Sequence, residues 1–334
     1  MSHSKRRRLR ITRPVGPPEK QLAEIGSPIL LRAGSAHELL DVIPYLLGFH
    51  PQESLVVVLV CGGRVLLTAR SDLVGDTAGL LTQIRRVALG HGADAMFCVA
   101  YAAAPMPAQG MLLRLISDDS LPMVLDALHT DGVRWWSMMH PGDPAGELVQ
   151  TGVLAAEAVY AGLTALPTRA QAVAVADPPV AEQVPALLEE TERQLDLVGR
   201  LSFGRRVERV NQLINGFVSD QQPLSTAERV CLAVLVGQVA VRDRALRHLR
   251  PDKASALTAC WSEVVGVAVP PWEVAPLCLL GLSAWVSGNG AVLVRCIERA
   301  LAADPTSELA GLLAQVNDQA LPPSEWERLA HRWQ

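Results

Sequence analysis

Apolar and polar residues follow two different patterns along the chain, and the change falls near residue 178. Before this point, apolar residues at helical spacing predict a helix that begins at the capping box Ser35-x-x-Glu38. Leu55–Val60 is a continuous, largely β-branched run, which is typical of a central strand. Gly62-Gly63 and a β-rich run over 64–70 follow, so the sequence predicts a hairpin, because such a two-residue turn needs positive φ.

Further helices and strands alternate up to the middle of the chain. The pattern predicts, in order, a helix over 77–90, a strand at Ala95–Tyr101, a loop with Pro105 and Pro107, a helix near 108–117, and a hairpin of 124–130 and 133–139 around Asp131-Gly132. Helices that alternate with strands indicate an α/β domain with a mixed sheet, which we expect over 28–177.

Beyond residue 178 the apolar patterns are helical, which predicts an all-α domain of helical hairpins over 178–334, with Pro178-Pro179 as the boundary. The capping boxes Ser225-x-x-Glu228 and Ser324-x-x-Glu327 are expected to start two of its helices. The predicted helices cover 181–198, 205–218, 226–248, 253–267, 273–287, 290–302, 307–317 and 324–333.

One predicted helix pair resembles a tetratricopeptide unit, in which small residues let two antiparallel helices approach closely and a proline stops the second helix. The residues that carry the resemblance are Leu277, Leu280, Gly281, Ala284, Gly288-Asn289, Ile297, Ala300 and Pro305. The match is partial, because Ala284 stands where that family prefers an aromatic residue and Leu293 where it prefers alanine. A generic helical hairpin is the alternative.

Charge is unevenly distributed along the chain, whose formal net charge is −4. Residues 1–20 carry seven basic side chains against one acidic side chain, and we expect 1–27 to be a disordered basic tail. The rest of the chain is therefore acidic, which argues against a nucleic-acid groove on the folded part. The candidates for nucleic-acid contact are Arg6, Arg7, Arg8 and Arg10, with a solvated tail as the alternative.

The six cysteines are scattered and form no Cys-x-x-Cys pair. This spacing suits neither a metal site nor a disulfide framework, so we expect no metal and buried free thiols in a reducing compartment. The sequence has no apolar run of about 18 residues, so we expect no membrane-spanning helix. The sequence thus predicts a cytoplasmic location, and no motif in it indicates a cofactor.

Two groups of residues are candidates for a small-ligand site. The first is His50 with Glu53, because a histidine beside a carboxylate suits acid–base chemistry or ligand binding. The second is Arg134, Trp136 and Ser137, where the arginine suits a small anion and the tryptophan suits stacking. Strand alternation puts Arg134 and Trp136 on one face, so we expect Trp135 in the core. The structural alternatives are a histidine that caps a backbone group and an Arg–Trp stack that stiffens the hairpin.

The segment Ile43-Pro44-Tyr45-Leu46-Leu47-Gly48-Phe49-His50-Pro51, together with Arg134-Trp135-Trp136-Ser137, resembles the mainly actinobacterial family called domain of unknown function 4192. This resemblance implies a fold family and no particular reaction. Relatives commonly follow the Arg-Trp-Trp-Ser stretch with cysteines, whereas this chain has Met138-Met139-His140. If those thiols bind a metal or carry redox chemistry in relatives, this chain lacks that role.

The sequence contains no Gly-rich phosphate loop, Gly-x-Ser-x-Gly or His-Glu-x-x-His motif, which removes the best-known enzyme classes and leaves open whether the protein is an enzyme. We therefore expect a binding or scaffold protein, with a candidate ligand pocket in the α/β domain and an unidentified protein partner on the helical domain. The alternative is an enzyme or nucleotide-binding protein that uses a cleft near His50 and Arg134.

Overall fold

Six strands form one mixed sheet in the computed structural model, which describes residues 35–140, 142–150 and 152–330. The strand order is β2-β1-β3-β4-β5-β6, in which β3 and β4 are parallel and the other neighbours antiparallel. The strands are β1 (Ser54–Cys61), β2 (Arg64–Asp72), β3 (Ala95–Tyr101), β4 (Met123–Thr130), β5 (Arg134–Ser137) and β6 (Glu147–Leu148). The basic tail and its four candidate arginines lie outside the described residues.

Helices cover both faces of this sheet, which confirms the predicted α/β class. They are α1 (Ala36–Leu47), α2 (Thr77–His91), α3 (Pro105–Ile116) and α4 (Val153–Tyr160). Val56, Val58 and Val60 of β1 belong to one core cluster with side chains of α1 and α4. The alternate residues of β1 are also buried and point to the other face, and α3 contacts the neighbouring strands β3 and β4.

Turn residues define both predicted hairpins. Gly62 and Gly63 have φ of 56° and 79°, as the predicted turn between β1 and β2 requires. Gly132 has φ of 91°, and the Asp131 carboxylate accepts the backbone N–H groups of Val133 and Arg134. These hydrogen bonds, chiefly the one from Arg134, lower the pKa of Asp131. The hairpins are confirmed, although β5 ends at Ser137, before the predicted end at 139.

The C-terminal half is helical, and the two compact units of the chain divide between Arg169 and Ala170. Pro178-Pro179, the boundary that the sequence predicts, lies a short distance further along the chain. The helices are α5 (Arg169–Val173), α6 (Val184–Gly199), α7 (Phe203–Val218), α8 (Thr226–Val236), α9 (Val239–Ala245), α10 (Ala254–Val265), α11 (Val274–Val286), α12 (Gly290–Ala303), α13 (Glu308–Asp318) and α14 (Trp326–Ala330).

The pair α11 and α12 forms a closely packed helical hairpin. A Cβ added to Gly281 would lie 3.1 Å from the Cβ of Cys296, so the missing side chain allows the close approach that the sequence predicts. Gly288, with φ of 81°, makes the turn, and the Asn289 side chain caps α12. The hairpin is therefore present, while its membership of a tetratricopeptide repeat stays a prediction.

Several helix boundaries differ from the sequence prediction. Pro105 and Pro107 lie in the first turn of α3 and not in a loop, because the N–H groups of that turn need no partner within the helix. The predicted helix over 226–248 breaks at Gly237, where the Trp272 ring takes the space of a Cβ. Ser324 lies inside a 3₁₀ turn, so the predicted capping box there is wrong; the box at Ser225 is confirmed.

Among the described residues, no helix has the length and apolar character needed to cross a membrane.

Candidate functional site

The starts and ends of three central strands meet at one edge of the sheet. β1 runs antiparallel to β3, and β4 runs parallel to β3. The first residue of β1, Ser54, therefore pairs with the last residue of β3, Tyr101, which pairs in turn with the last residue of β4, Thr130. This edge lies at the carboxyl ends of the parallel strands, where open α/β sheets commonly place their ligands. The candidate residues Glu53 and Arg134 flank it, because each lies next to one of these strand ends.

Glu53 occupies the N-terminal end of α3. Its Oε1 accepts the backbone N–H of Ala103 at 3.0 Å, and its own carbonyl accepts the N–H of Leu73. Ala104, the N-cap residue of α3, supplies no side-chain cap. The Glu53 carboxylate therefore supplies the negative charge that stabilises a helix N-terminus. A φ of 42° at Glu53 shows that the backbone bends sharply to bring it there.

His50 lies in the turn between α1 and β1 with its side chain exposed. Its backbone N–H donates to the Leu166 carbonyl at 2.9 Å, and Gly48 with φ of 84° ends α1 just before it. No hydrogen bond or ion pair among the described residues joins His50 to Glu53 or to Arg134. The structure thus places these candidates near one sheet edge, and no described hydrogen bond or ion pair links His50 to the other two.

Arg134 and Trp136 share a face of β5, as predicted, and both hold the segment that leads into β6. Arg134 Nη1 donates to the carbonyls of Gly146 (2.8 Å) and Ala145 (3.3 Å). The Trp136 ring lies so close to Gly146 that a Cβ there would clash with it. Trp135, on the opposite face, is buried in the core cluster that includes α1.

The other side of the Trp136 ring stacks on His129. The ring centroids are 5.1 Å apart with 17° between the planes, and His129 is buried. His129 Nε2 donates to the Ala102 carbonyl at 2.9 Å, because that carbonyl can only accept. Trp136 is therefore held between a buried histidine and a glycine, a position that the sequence alone did not indicate.

Ser137 points to the face opposite Arg134 and Trp136. Its Oγ donates to the Asp126 carboxylate at 2.6 Å and accepts the backbone N–H of His140 at 2.8 Å. His140 Nδ1 lies 3.6 Å from the other Asp126 oxygen. Asp126 thus stands between the serine and the histidine, whereas a Ser-His-Asp nucleophile needs the histidine in the middle. Ser137 and Arg134 do not line one surface.

Asp41 is a buried polar residue that the sequence analysis missed. Its two carboxylate oxygens accept the backbone N–H groups of Gly152 (3.0 Å) and Ala155 (2.8 Å), so an α1 side chain caps the start of α4. The signal was present in the sequence, since Asp41 lies within the apolar stripe of α1. A buried carboxylate needs hydrogen-bond donors, but the sequence does not reveal which donors they are.

The largest pKa shifts belong to core residues. Burial raises the pKa of the thiols of Cys98, Cys260 and Cys278 to about 12, and it also raises the pKa of Cys296 and Tyr101. A thiol with a raised pKa is a poor nucleophile. No group of three or more His, Cys, Asp or Glu side chains within the described ranges is placed to hold a metal ion.

A protein-family model described as Domain of unknown function (DUF4192) matches residues 37–324. The matched range includes the His50 turn and the β4–β5 hairpin, and it extends over most of the helical unit. No curated protein and no solved structure matches the chain.

Proposed function

The chain belongs to this family, whose description assigns no activity, and we propose that the protein is a cytoplasmic binding protein that holds a basic partner on its helical unit. The observation that supports this most directly is the outer surface of α6, which combines exposed leucines with unpaired acidic side chains. We call this surface the α6 face, formed by Leu188, Glu189, Glu192, Leu195 and Asp196.

The apolar part of the α6 face lies beside the buried side of the helix. α6 packs into the helical unit through Leu187, Thr191, Gln194 and Val198, at the spacing of a helical stripe. Leu188 and Leu195 lie on the next stripe and are 46% and 36% exposed. The apolar surface of α6 is therefore wider than its own core requires, and two leucines one heptad apart remain free for a partner helix.

The acidic part of the α6 face carries uncompensated charge. Glu190 pairs with Arg193 at 2.6 Å, and its hydrogen bonds, first from Gln194, lower its pKa. In contrast, no ion pair within the described part of the chain involves Glu189, Glu192 or Asp196. Uncompensated negative charge around an apolar stripe favours the binding of a partner segment that is both basic and amphipathic.

Binding of a defined peptide tests this proposal. The probe is a helical peptide with leucines on one face and lysines on the other, and the readout is fluorescence anisotropy with full-length protein. We expect saturable binding that weakens as salt rises and that drops at least about tenfold in the double variant Leu188→Ser/Leu195→Ser. Leu89→Ser is the matched control, because Leu89 is an exposed leucine on α2. Equal affinity for all three proteins would refute the assignment of the α6 face.

A small anion at Arg134 is a second candidate function. The observation in its favour is that Arg134 donates to two neutral carbonyls, while no carboxylate among the described side chains forms an ion pair with it. Its positive charge is therefore available to a ligand at the sheet edge. Calorimetric titration with inorganic phosphate should show binding that Arg134→Gln abolishes and Arg114→Gln retains. Absence of binding to wild type would end this candidacy.

The enzyme or nucleotide-binding alternative requires His50 and Arg134 to serve one ligand. It stays a prediction with a direct test, in which His50→Gln and Arg134→Gln are titrated with nucleotides. Under this alternative both variants lose affinity, and loss in the Arg134 variant alone would favour the simple anion site.

A further inference from the structure

The exposed face of α3 is apolar, which is unusual for a helix that covers a sheet. We call this surface the α3 face, formed by Pro105, Met106, Pro107, Gly110 and Leu113. Met106 is 77% exposed and Leu113 is 52% exposed. No exposed position from Pro105 to Leu113 carries a charge, so this face lacks the polar side chains that normally keep a helix surface hydrated.

Gly110 lies in the middle of the α3 face, and contacts within the described chain do not account for it. A Cβ added at Gly110 would meet nothing within 4 Å, so alanine would fit there without any clash. Glycine inside an exposed helix is less favourable than alanine, because it loses more backbone entropy on folding. A glycine at such a position allows the backbone of another helix to approach closely.

The spacing of the α3 face makes it complementary to itself. Met106 precedes Gly110 by four residues and Leu113 follows it by three, so the two side chains lie at similar distances on either side of the glycine. In a second copy that runs in the opposite direction, the methionine and the leucine exchange places. Two antiparallel copies that cross at Gly110 would therefore place Met106 of each beside Leu113 of the other. This is the geometry of a two-fold interface, in which the same patch serves on both subunits.

Charge at the two ends of α3 agrees with this antiparallel arrangement. The Glu53 carboxylate lies at the N-terminal end, bound to the Ala103 N–H, and Arg114 lies in the last turn. Neither side chain takes part in an ion pair with another described residue. An antiparallel pair would bring Arg114 of each copy towards Glu53 of the other. A parallel pair would place like charges together.

From these four observations we infer that the α3 face is a homodimer interface, occupied by the α3 face of a second copy of this chain. An uncharged surface suits a second copy, because two copies of a chain with net charge −4 repel each other wherever acidic surfaces meet. The acidic α6 face fails this condition. The inference goes beyond the proposed function, since it concerns a different surface and a different occupant.

Sedimentation velocity of the purified full-length protein tests the dimer directly. We expect a species of twice the chain mass of 35.9 kDa that dissociates on dilution. Gly110→Arg should weaken the dimer at least about tenfold, because a long side chain keeps the two backbones apart. Gly90→Arg is the matched control, since Gly90 is an exposed helical glycine of α2 with equally open surroundings. A monomeric wild type, or equal dimerisation by both variants, would overturn the inference.

Cross-linking locates the interface independently of any loss of stability. In a Cys61→Ser background, which removes the exposed native thiol, Gly110→Cys should cross-link between copies with a short bismaleimide. Gly90→Cys should not. Equal cross-linking of the Gly110→Cys and Gly90→Cys proteins would contradict a two-fold axis at Gly110. If the wild-type protein is a monomer and a different protein binds the α3 face, the inference of a homodimer is also refuted. The peptide assay on the α6 face is separate, so either proposal can fail alone.

Discussion

Replacement of Asp41 tests the hydrogen bonds that fasten α1 to α4. The side chain is buried, and both carboxylate oxygens accept backbone N–H groups in the first turn of α4. A hydrogen bond to a charged group contributes about 1.5–3 kcal/mol, so the loss of two predicts a decrease of roughly 3–6 kcal/mol in unfolding free energy for Asp41→Ala. We expect the low end of this range, because water can enter the space that the carboxylate leaves.

Asp76→Ala is the control, since Asp76 caps α2 in an exposed position and accepts one backbone N–H, that of Gly79. Its loss should cost about 1 kcal/mol. Hydrogen exchange followed by mass spectrometry measures each helix separately, which matters in a chain with two units. A cost of 3 kcal/mol corresponds to a roughly 100-fold loss of protection in α1 and α4. Losses of the same size in the two variants would refute the argument that burial and double acceptance set the magnitude.

Three further replacements give distinct expected results. Trp135→Ala should destabilise the α/β unit by roughly 3–5 kcal/mol, because Trp135 is buried. Trp136→Ala should destabilise it by only about 1–2 kcal/mol, because Trp136 is half-buried, and equal decreases in melting temperature for the two variants would contradict this difference. Arg299→Ala should lower stability to urea by about 2 kcal/mol, because it removes a charged donor to the Ala176 carbonyl, and Arg299→Lys should cost less. Burial lowers the pKa of His248 below its ordinary 6.5, so the neutral form stabilises the fold above pH 6.5. That stabilisation declines as the pH falls towards the lower folded pKa, and His248→Gln should flatten the decline in chemical unfolding measured at a series of pH values.

Local chemistry explains which parts of the fold could be predicted from the sequence. Gly62-Gly63 and Asp131-Gly132 determine their turns through φ angles and short-range hydrogen bonds, so both hairpins followed from a few adjacent residues. Period-two alternation likewise predicted that Trp135 and Trp136 point to opposite faces. The break after Gly237 did not follow from the sequence pattern, and neither did the contact between Gly237 and the Trp272 ring, which comes from a distant part of the chain.

The surroundings of the candidate site depend on the register of neighbouring strands and on contacts between residues far apart in the chain, and the apolar pattern specifies neither. Nothing in the neighbourhood of Trp136 indicates that His129 stacks on it or that Gly146 lies against its other side. Asp41 is separated by more than a hundred residues from the amides it binds. Residue types identified Arg134 and Trp136 as a pair, whereas only the fold shows that both support the segment leading to β6.

Charge distinguishes the two proposed interaction surfaces by the kind of partner that each would accept. The α6 face is acidic, so its own copy would be repelled there, whereas the α3 face carries no charge between Pro105 and Leu113 and would gain little from a charged partner over that stretch. Their salt dependences should therefore differ in size, since screening acts on the whole acidic surface in the first association and only on the Arg114 and Glu53 charges at the helix ends in the second. A dimer formed through α3 would also present two α6 faces. A partner with two basic segments would then bind more tightly through effective concentration, without any new contact, and a partner with a single basic segment would not.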